Sequence, residues 1–473
     1  MPNAATLTSQ HPLATIIDVS SRIIAPGFVN AHVHGASVLL RSLTRGYPLS
    51  AWNTLVPLRQ ATEFLLDPSS VSFFEPLALF AGTDHLLHGT TTVADVLPPA
   101  DVQALGSAVR GHARAGIRST YTLSGWSQIR GARNQLPPPG SGAVAFDMDE
   151  ELTIYGIEKH LRAAKELGLP PAFQLGETRK GVDALKRNFK KSPVRVIKEA
   201  GALLPQSWVA HGNYFVPADL DLLAESGVTL TICCGSASRK RTGCPVLLHL
   251  ASRDLRLAVG TDWGSVDMLG ELKFLSMLPS LVSGVRQFRA LELIRMATIN
   301  GAHALGIASD TGSLEVGKRA DLVMFTLENM FFPLASETAG ADVLAETIIE
   351  RMDAGRVSDV MVDGVFRVRD HVPIDADLKT IEGGIRSLVQ RAVPQGIPAI
   401  QGSSTARAYG TIVPAADQAF LHEKSPAEHR QSASQSGFSA NLTIITSTAG
   451  IDEKPKQPEV TKGARRVFGE DDT

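Results

Sequence analysis

From residue 90 to residue 259, short β-branched and aliphatic runs alternate with longer segments of helical period, an alternation that leaves a parallel sheet with helical crossovers as the expected architecture. Strands are predicted at 90–93, 118–123, 172–175, 207–210, 229–233 and 256–259, with helices at 49–66, 71–88, 100–115, 150–167, 193–200, 217–226, 245–252 and 290–305. The Gly- and Pro-rich stretch 124–144 reads as a long loop, and a loop of that length in a compact domain suggests a lid. Later strands run out into polar residues or glycine, as QLGE at 174–177, AHGN at 210–213, CCGSAS at 233–238 and VGTDWGS at 259–265. If the sheet closes into a barrel, these ends share the rim that carries the chemistry.

The stretch IAPGFVNAHVHG at 24–35 supplies the first strand of the series. Pro26-Gly27 breaks any helix, and Phe28 and Val29 begin a buried-strand pattern. His32 and His34 are two residues apart, so on a strand both imidazoles point to one face and can offer nitrogen to one ion. Two histidines hydrogen-bonded at a strand end would account for the same spacing, and only the rest of the chain favours the metal.

A chain of 473 residues can bury a sizeable core, and 44% hydrophobic against 20% charged residues is the balance of a soluble globular enzyme. A formal charge of -2 gives no basic field for nucleic acid, so no nucleic-acid partner is expected. With neither a basic leader nor an apolar run of membrane-spanning length, the expectation is a cytoplasmic protein without a membrane partner. Cys233, Cys234 and Cys244 lie in one short segment, build no disulfide framework, match no usual zinc spacing and read as buried or loop thiols.

After residue 305 the pattern changes to short strands with glycine turns at 311–325 and 357–368, which should pair with 16–24 to make a small β unit from both chain ends. Beyond about Gly402 the chain is polar and aperiodic, as disordered tails are, with 441–445 as its single strand candidate. The expected division is therefore 1–27 for the first part of the small domain, 28–307 for the barrel, 308–400 for the rest of the small domain with a helical extension, and 401–473 for the tail.

In this order the markers IIAPGFVNAHVHG, HGTTTVADV, LGET, VAHGN, AVGTDWGS, MATINGAHALG and GSLEVGKRADLVMF resemble the amidohydrolase superfamily, in the branch of triazine chlorohydrolases and cytosine, guanine and adenosine-type deaminases. The resemblance implies an α/β fold, a (β/α)8 TIM-like barrel with a small composite β-sandwich domain. It also implies one divalent metal ion, zinc or iron. By this resemblance His32, His34 and Asp262 are metal ligands and Glu177, His211 and Asp262 the catalytic groups, with Glu177 and Asp262 shuttling protons and His211 stabilising developing charge. Gln174 stands where the family has a histidine ligand after its fifth strand, and a carboxamide oxygen binds a borderline ion less well than imidazole does. The family's Pro-x-Ser-Asn after strand seven is replaced by Cys234, Gly235, Ser236 and Ala237, and the lead before His32 is shorter than is usual.

The expected activity is metal-dependent hydrolysis of a C–N or related bond in a small nitrogen-rich cyclic molecule, by a homo-oligomer as in the family. Two further readings stay open. One is ring opening, decarboxylation or cyclisation on the same barrel, and the other is a degenerate barrel that binds a ligand or a partner chain without turnover.

Overall fold

The computed structural model describes residues 9–393 apart from 11, 42, 45, 138–140, 147–151, 246 and 329–339. The expected tail 401–473, with its strand candidate 441–445, lies outside the described residues.

Eight parallel strands form the central sheet in sequential order: β2 (Phe28–Val33), β3 (Thr90–Val96), β4 (Arg118–Leu123), β5 (Gly142–Ala145), β6 (Pro171–Leu175), β7 (Trp208–His211), β8 (Thr229–Ile232) and β9 (Arg256–Val259). Every residue of β2 and β3 is buried, as expected for strands covered on both faces. Phe173, Leu175, Leu230 and Ile232 pack outward in the layer shared with the helices, while Ala31, Ala94, Ala143, Ala172 and Ala258 gather inside with Trp208.

The ring closes just beyond β9. The Asp262 amide donates to the His32 carbonyl at 2.9 Å, and the His34 amide donates to the Asp262 carbonyl at 3.3 Å. Gly260 lies on this seam, where a Cβ would stand 2.7 Å from the His32 carbonyl oxygen and 2.9 Å from its amide nitrogen.

A second sheet, order β1-β10-β11-β12-β13, is antiparallel throughout, and it is the expected composite unit from both chain ends. It comprises β1 (Arg22–Pro26), β10 (Leu322–Thr326), β11 (Val357–Val362), β12 (Val365–Arg369) and β13 (Val372–Pro373). Only Gly27 separates β1 from β2, and a Cβ there would meet the Thr91 side chain at 2.2 Å. Asp321 ties the two sheets together: it accepts from Arg118 Nε and Nη2, both at 3.1 Å, from Thr311 Oγ1 at 3.0 Å and from the Asp363 amide at 2.7 Å.

Several local expectations are corrected. The supposed lid 124–144 contains a helix, Trp126–Gln135, and strand β5, because Ile129 and Ala132 bury against the layer that holds Leu105 and Tyr121. The first strand begins at Arg22 rather than at residue 16, since the preceding Ile16 and Ile17 stay exposed and find no strand partner. The helix expected at 290–305 is two, Ala290–Met296 and Ile299–Ala304, broken where Thr298 leaves helical geometry. The segment CCGSAS, expected as the polar end of a strand, instead enters the helix Cys234–Lys240 directly after Cys233.

Gly260→Ala should be costly, because the new methyl meets backbone that cannot swing aside. Urea unfolding should show a loss of roughly 1–3 kcal/mol, whereas wild-type stability would mean that the seam tolerates a side chain.

Candidate functional site

The rim at the strands' C-terminal ends gathers the site. His32 is the fifth residue of β2 and His34 follows its end, Glu177 lies two residues past β6, His211 ends β7, and Asp262 follows β9. His211 and Asp262 hold positive φ of 80° and 53°, a conformation that costs side-chain-bearing residues of order 1–3 kcal/mol each and persists only where surrounding packing enforces it.

His32 Nε2 and His34 Nε2 lie 3.6 and 3.3 Å from Asp262 Oδ1, and the two rings stand edge to face 5.3 Å apart. The donor atoms of His32, His34 and Asp262 fall within 4.8 Å of one another, and a second trio, Glu177, His211 and Asp262, meets the same limit. His211 packs its ring 5.0 Å from that of His32, and its Nε2 is 4.0 Å from Glu177 Oε2. His32 Nε2, His211 Nε2 and Asp262 Oδ1 are buried with no hydrogen-bond partner among the described residues. Buried polar atoms are rarely left so, and orphaned donors beside a cluster of two imidazoles and a carboxylate are what a cation-binding site presents. The donor set of two imidazoles and a carboxylate thus fits one divalent ion.

Electrostatics keep the donors in binding form. Burial pushes the His211 imidazolium down to about 4, and burial also lowers His34, so both rings stay neutral at pH 7. Burial alone would raise Asp262 and Glu177, but the Lys240 ammonium together with the neighbouring imidazoles more than offsets it and holds both carboxyls below their ordinary range.

Lys240 is the group that sequence reasoning missed. Its residue is only 6% exposed, and its Nζ donates to Glu177 Oε1 at 2.8 Å and to Asp262 Oδ2 at 2.5 Å. Ser236 Oγ donates to the same Oδ2 at 2.7 Å. Ser236 and Lys240 are one turn apart on the helix Cys234–Lys240, so a helical reading of this segment would have put both on the face towards Asp262. Glu271 pins the helix's first turn by accepting from the Gly235 amide at 2.7 Å. Asn213 Nδ2 donates to the Glu177 carbonyl at 3.1 Å and fixes that loop.

Gln174 lies on β6 opposite Ala210 and lines, with His32, Thr122, Trp208 and Thr231, a small cavity in the barrel interior. On the other side His34 meets an aromatic wall, with Trp263 5.6 Å from its ring and Trp52 5.0 Å from Trp263. Trp52 and Trp263 border a cleft that also takes in Leu58, Arg59, Thr62 and Glu63. Cys233 and Cys234 are buried, and Cys234 Sγ lies 3.5 Å from Cys244 Sγ, in keeping with structural thiols.

Fold and site together define a (β/α)8 barrel hydrolase with a histidine-and-carboxylate donor cluster. Residues 23–367 match the Amidohydrolase family, and the chain belongs to that family; with its deaminase relatives this makes it a hydrolase that acts on carbon–nitrogen bonds other than peptide bonds. It is 28% identical to a 5-methylthioadenosine/S-adenosylhomocysteine deaminase of Haloquadratum walsbyi, over 79% of this chain and 86% of that protein. A protein of the same name from Desulfitobacterium hafniense is 26% identical, over 81% and 89%. Among solved structures, an adenosine deaminase from Xanthomonas campestris with bound zinc superposes with a TM-score of 0.70 at 23% identity, covering 79% of this chain and 86% of that one. The zinc complex of an atrazine chlorohydrolase from Arthrobacter aurescens gives 0.69 at 20% identity, covering 80% and 91%.

Two buried carboxyls beside the site should govern stability around neutral pH. Burial pushes Glu271 up to about 7 despite Arg239 and the Gly235 amide, and pushes Asp95 up to about 7 despite a hydrogen bond from the Gly35 amide. Both raised values mean that the folded state binds the extra protons, so this contribution is complete below the unfolded values and is lost as pH rises through 7. The melting temperature should therefore fall as pH rises from roughly 5 to 7 and level off above that, and Asp95→Asn with Glu271→Gln should flatten that slope. An unchanged slope in the double variant would locate the dependence elsewhere.

Proposed function

We propose that this chain is a metal-dependent deaminase that hydrolyses the exocyclic C–N bond of an aminated, nitrogen-rich ring, with substituted adenosines as the leading substrate class. The observation that carries the reading is the convergence of His32, His34 and Asp262, with Glu177 and His211 beside them. The names of the relatives favour adenosine derivatives, and the paired indoles of Trp52 and Trp263 offer a planar ring an apolar face next to His34.

His32 and His34, through Nε2, and Asp262, through Oδ1, would hold zinc. The bound ion would supply a water acidic enough to give hydroxide near neutral pH. Glu177 is ionised at rest, so it must gain a proton before giving one: its carboxylate takes a proton from the attacking water, then passes it to the ring nitrogen or departing amine. Asp262 acts as a second proton acceptor. His211 donates from Nε2 to the oxygen that develops charge at the attacked carbon, and it enters the cycle neutral. Water adds, ammonia leaves and a ring carbonyl remains.

Incubation of the purified protein with 5-methylthioadenosine, S-adenosylhomocysteine, adenosine, aminopyrimidines and triazines should release ammonia from at least one of them. A chelator should abolish turnover and added zinc should restore it. Glu177→Gln should lower kcat by about 10²–10⁴-fold with KM nearly unchanged, and turnover surviving that substitution would remove Glu177 from the reaction. Gln174, lining the interior cavity with His32, favours a second reading, in which ring opening, decarboxylation or cyclisation consumes the substrate without ammonia, and product analysis on the same panel separates the two.

A further inference from the structure

We propose that the Lys240 ammonium is a built-in cation of this site that competes with a divalent ion for the Asp262 and Glu177 carboxylates, so that this chain holds its metal loosely. The inference rests on the reading of His32, His34 and Asp262 as the donor set.

Asp262 divides its two oxygens. Oδ2 is taken by Lys240 at 2.5 Å and Ser236 at 2.7 Å, while Oδ1 faces the two imidazoles without a hydrogen-bond partner. A divalent ion seated on Oδ1 therefore shares a single carboxylate with a buried ammonium. In a poorly screened interior the two like charges repel strongly. Glu177, the other carboxylate that would neutralise the ion, spends its Oε1 on the same ammonium at 2.8 Å. Formally the two carboxylates and Lys240 leave one net negative charge to meet a doubly charged ion, where the carboxylates alone would present two.

The ammonium has nowhere easy to withdraw. Its helix is fixed at the start by Glu271 on the Gly235 amide, and along its length by Ser236 on Asp262 and by Arg239 Nη2 on the Thr261 carbonyl at 3.4 Å. The Trp52 ring centroid lies 5.9 Å from Nζ on the side of the mouth. Gln174 acts in the same sense, since it removes an imidazole from the position where the family supplies one. The two residues reinforce each other: Gln174 takes away a donor and Lys240 adds a rival cation.

Zinc affinity measured by competition with a chromophoric chelator tests this. Lys240→Met should bind zinc at least tenfold more tightly than wild type, Lys240→Arg should not, and Gln174→His should tighten binding independently. Melting temperatures give a second readout. Metal-free Lys240→Met should melt lower than wild type because two carboxylates lose their partner, and zinc should raise its melting temperature by more. Should Lys240→Met fail to fold, Lys240→Gln serves in its place. Equal or weaker zinc binding in the neutral variant, while wild type binds zinc and turns over, overturns the inference and leaves the proposed function standing. Zinc uptake by the neutral variant alone supports the inference and removes metal dependence from the wild-type protein. Failure of wild type, Lys240→Met and Gln174→His alike to take up zinc removes both.

Discussion

The backbone pairing of His32 and His34 with Asp262 closes the barrel, and the site is a consequence of that closure. Residues from the two ends of the eight-stranded sheet come within ligand distance because the Asp262 amide and carbonyl bond to the first strand. The positive φ of Asp262 is part of the same contact, and the ladder on either side supports its cost. Gly260 allows the approach, since nothing larger fits between it and the backbone of His32. The donor cluster is thus built on the most constrained part of the fold rather than on a loop, which is what a preorganised site requires.

Charge imposes the second constraint. Two carboxylates buried within one pocket repel each other and lose hydration, and breaking a buried ion pair by removing one partner typically costs ~3–5 kcal/mol. Lys240 satisfies both carboxylates at once, and that keeps Glu177 and Asp262 ionised beside neutral imidazoles. Neutral rings and ionised carboxylates are the protonation states that metal ligation needs. The same ammonium that stabilises the metal-free arrangement also opposes the ion, so stability and metal affinity are coupled through one side chain.

Much of this was legible in the sequence, and the limits follow from the kind of signal. His32 and His34 could be placed because strand period and a Pro-Gly break fix their register, whereas Glu177, His211 and Asp262 were singled out by the resemblance to the amidohydrolases, at strand ends that short aliphatic runs had marked. The union of both chain ends in one sheet followed from glycine-punctuated strands at 311–325 and 357–368. Lys240 was not legible as a site residue. Its helix of seven residues starts directly at the strand end, and Cys-Cys-Gly-Ser reads as a turn unless the i,i+4 relation of Ser236 to Lys240 is noticed. The helix at Trp126–Gln135 was hidden by its prolines and glycines downstream, although Ile129 and Ala132 already had helical spacing. Strand β5, Gly-Ala-Val-Ala, has one β-branched residue among small ones and so carries little strand signal.

The two faces of the barrel divide the work. Arg118 opens β4, so its fork on Asp321 joins the small sheet to the barrel at the end away from the metal donors. Asp321 sits in the Lys-Arg-Ala-Asp-Leu-Val segment, and its four accepted hydrogen bonds give that segment a structural role separate from chemistry. The helix Cys234–Lys240 stands at the opposite end, where Ser236 and Lys240 both grip Asp262 and Lys240 faces Trp52 at the mouth. Changes in that helix can therefore alter metal affinity and the shape presented to a substrate together, without disturbing the joint that holds the two sheets.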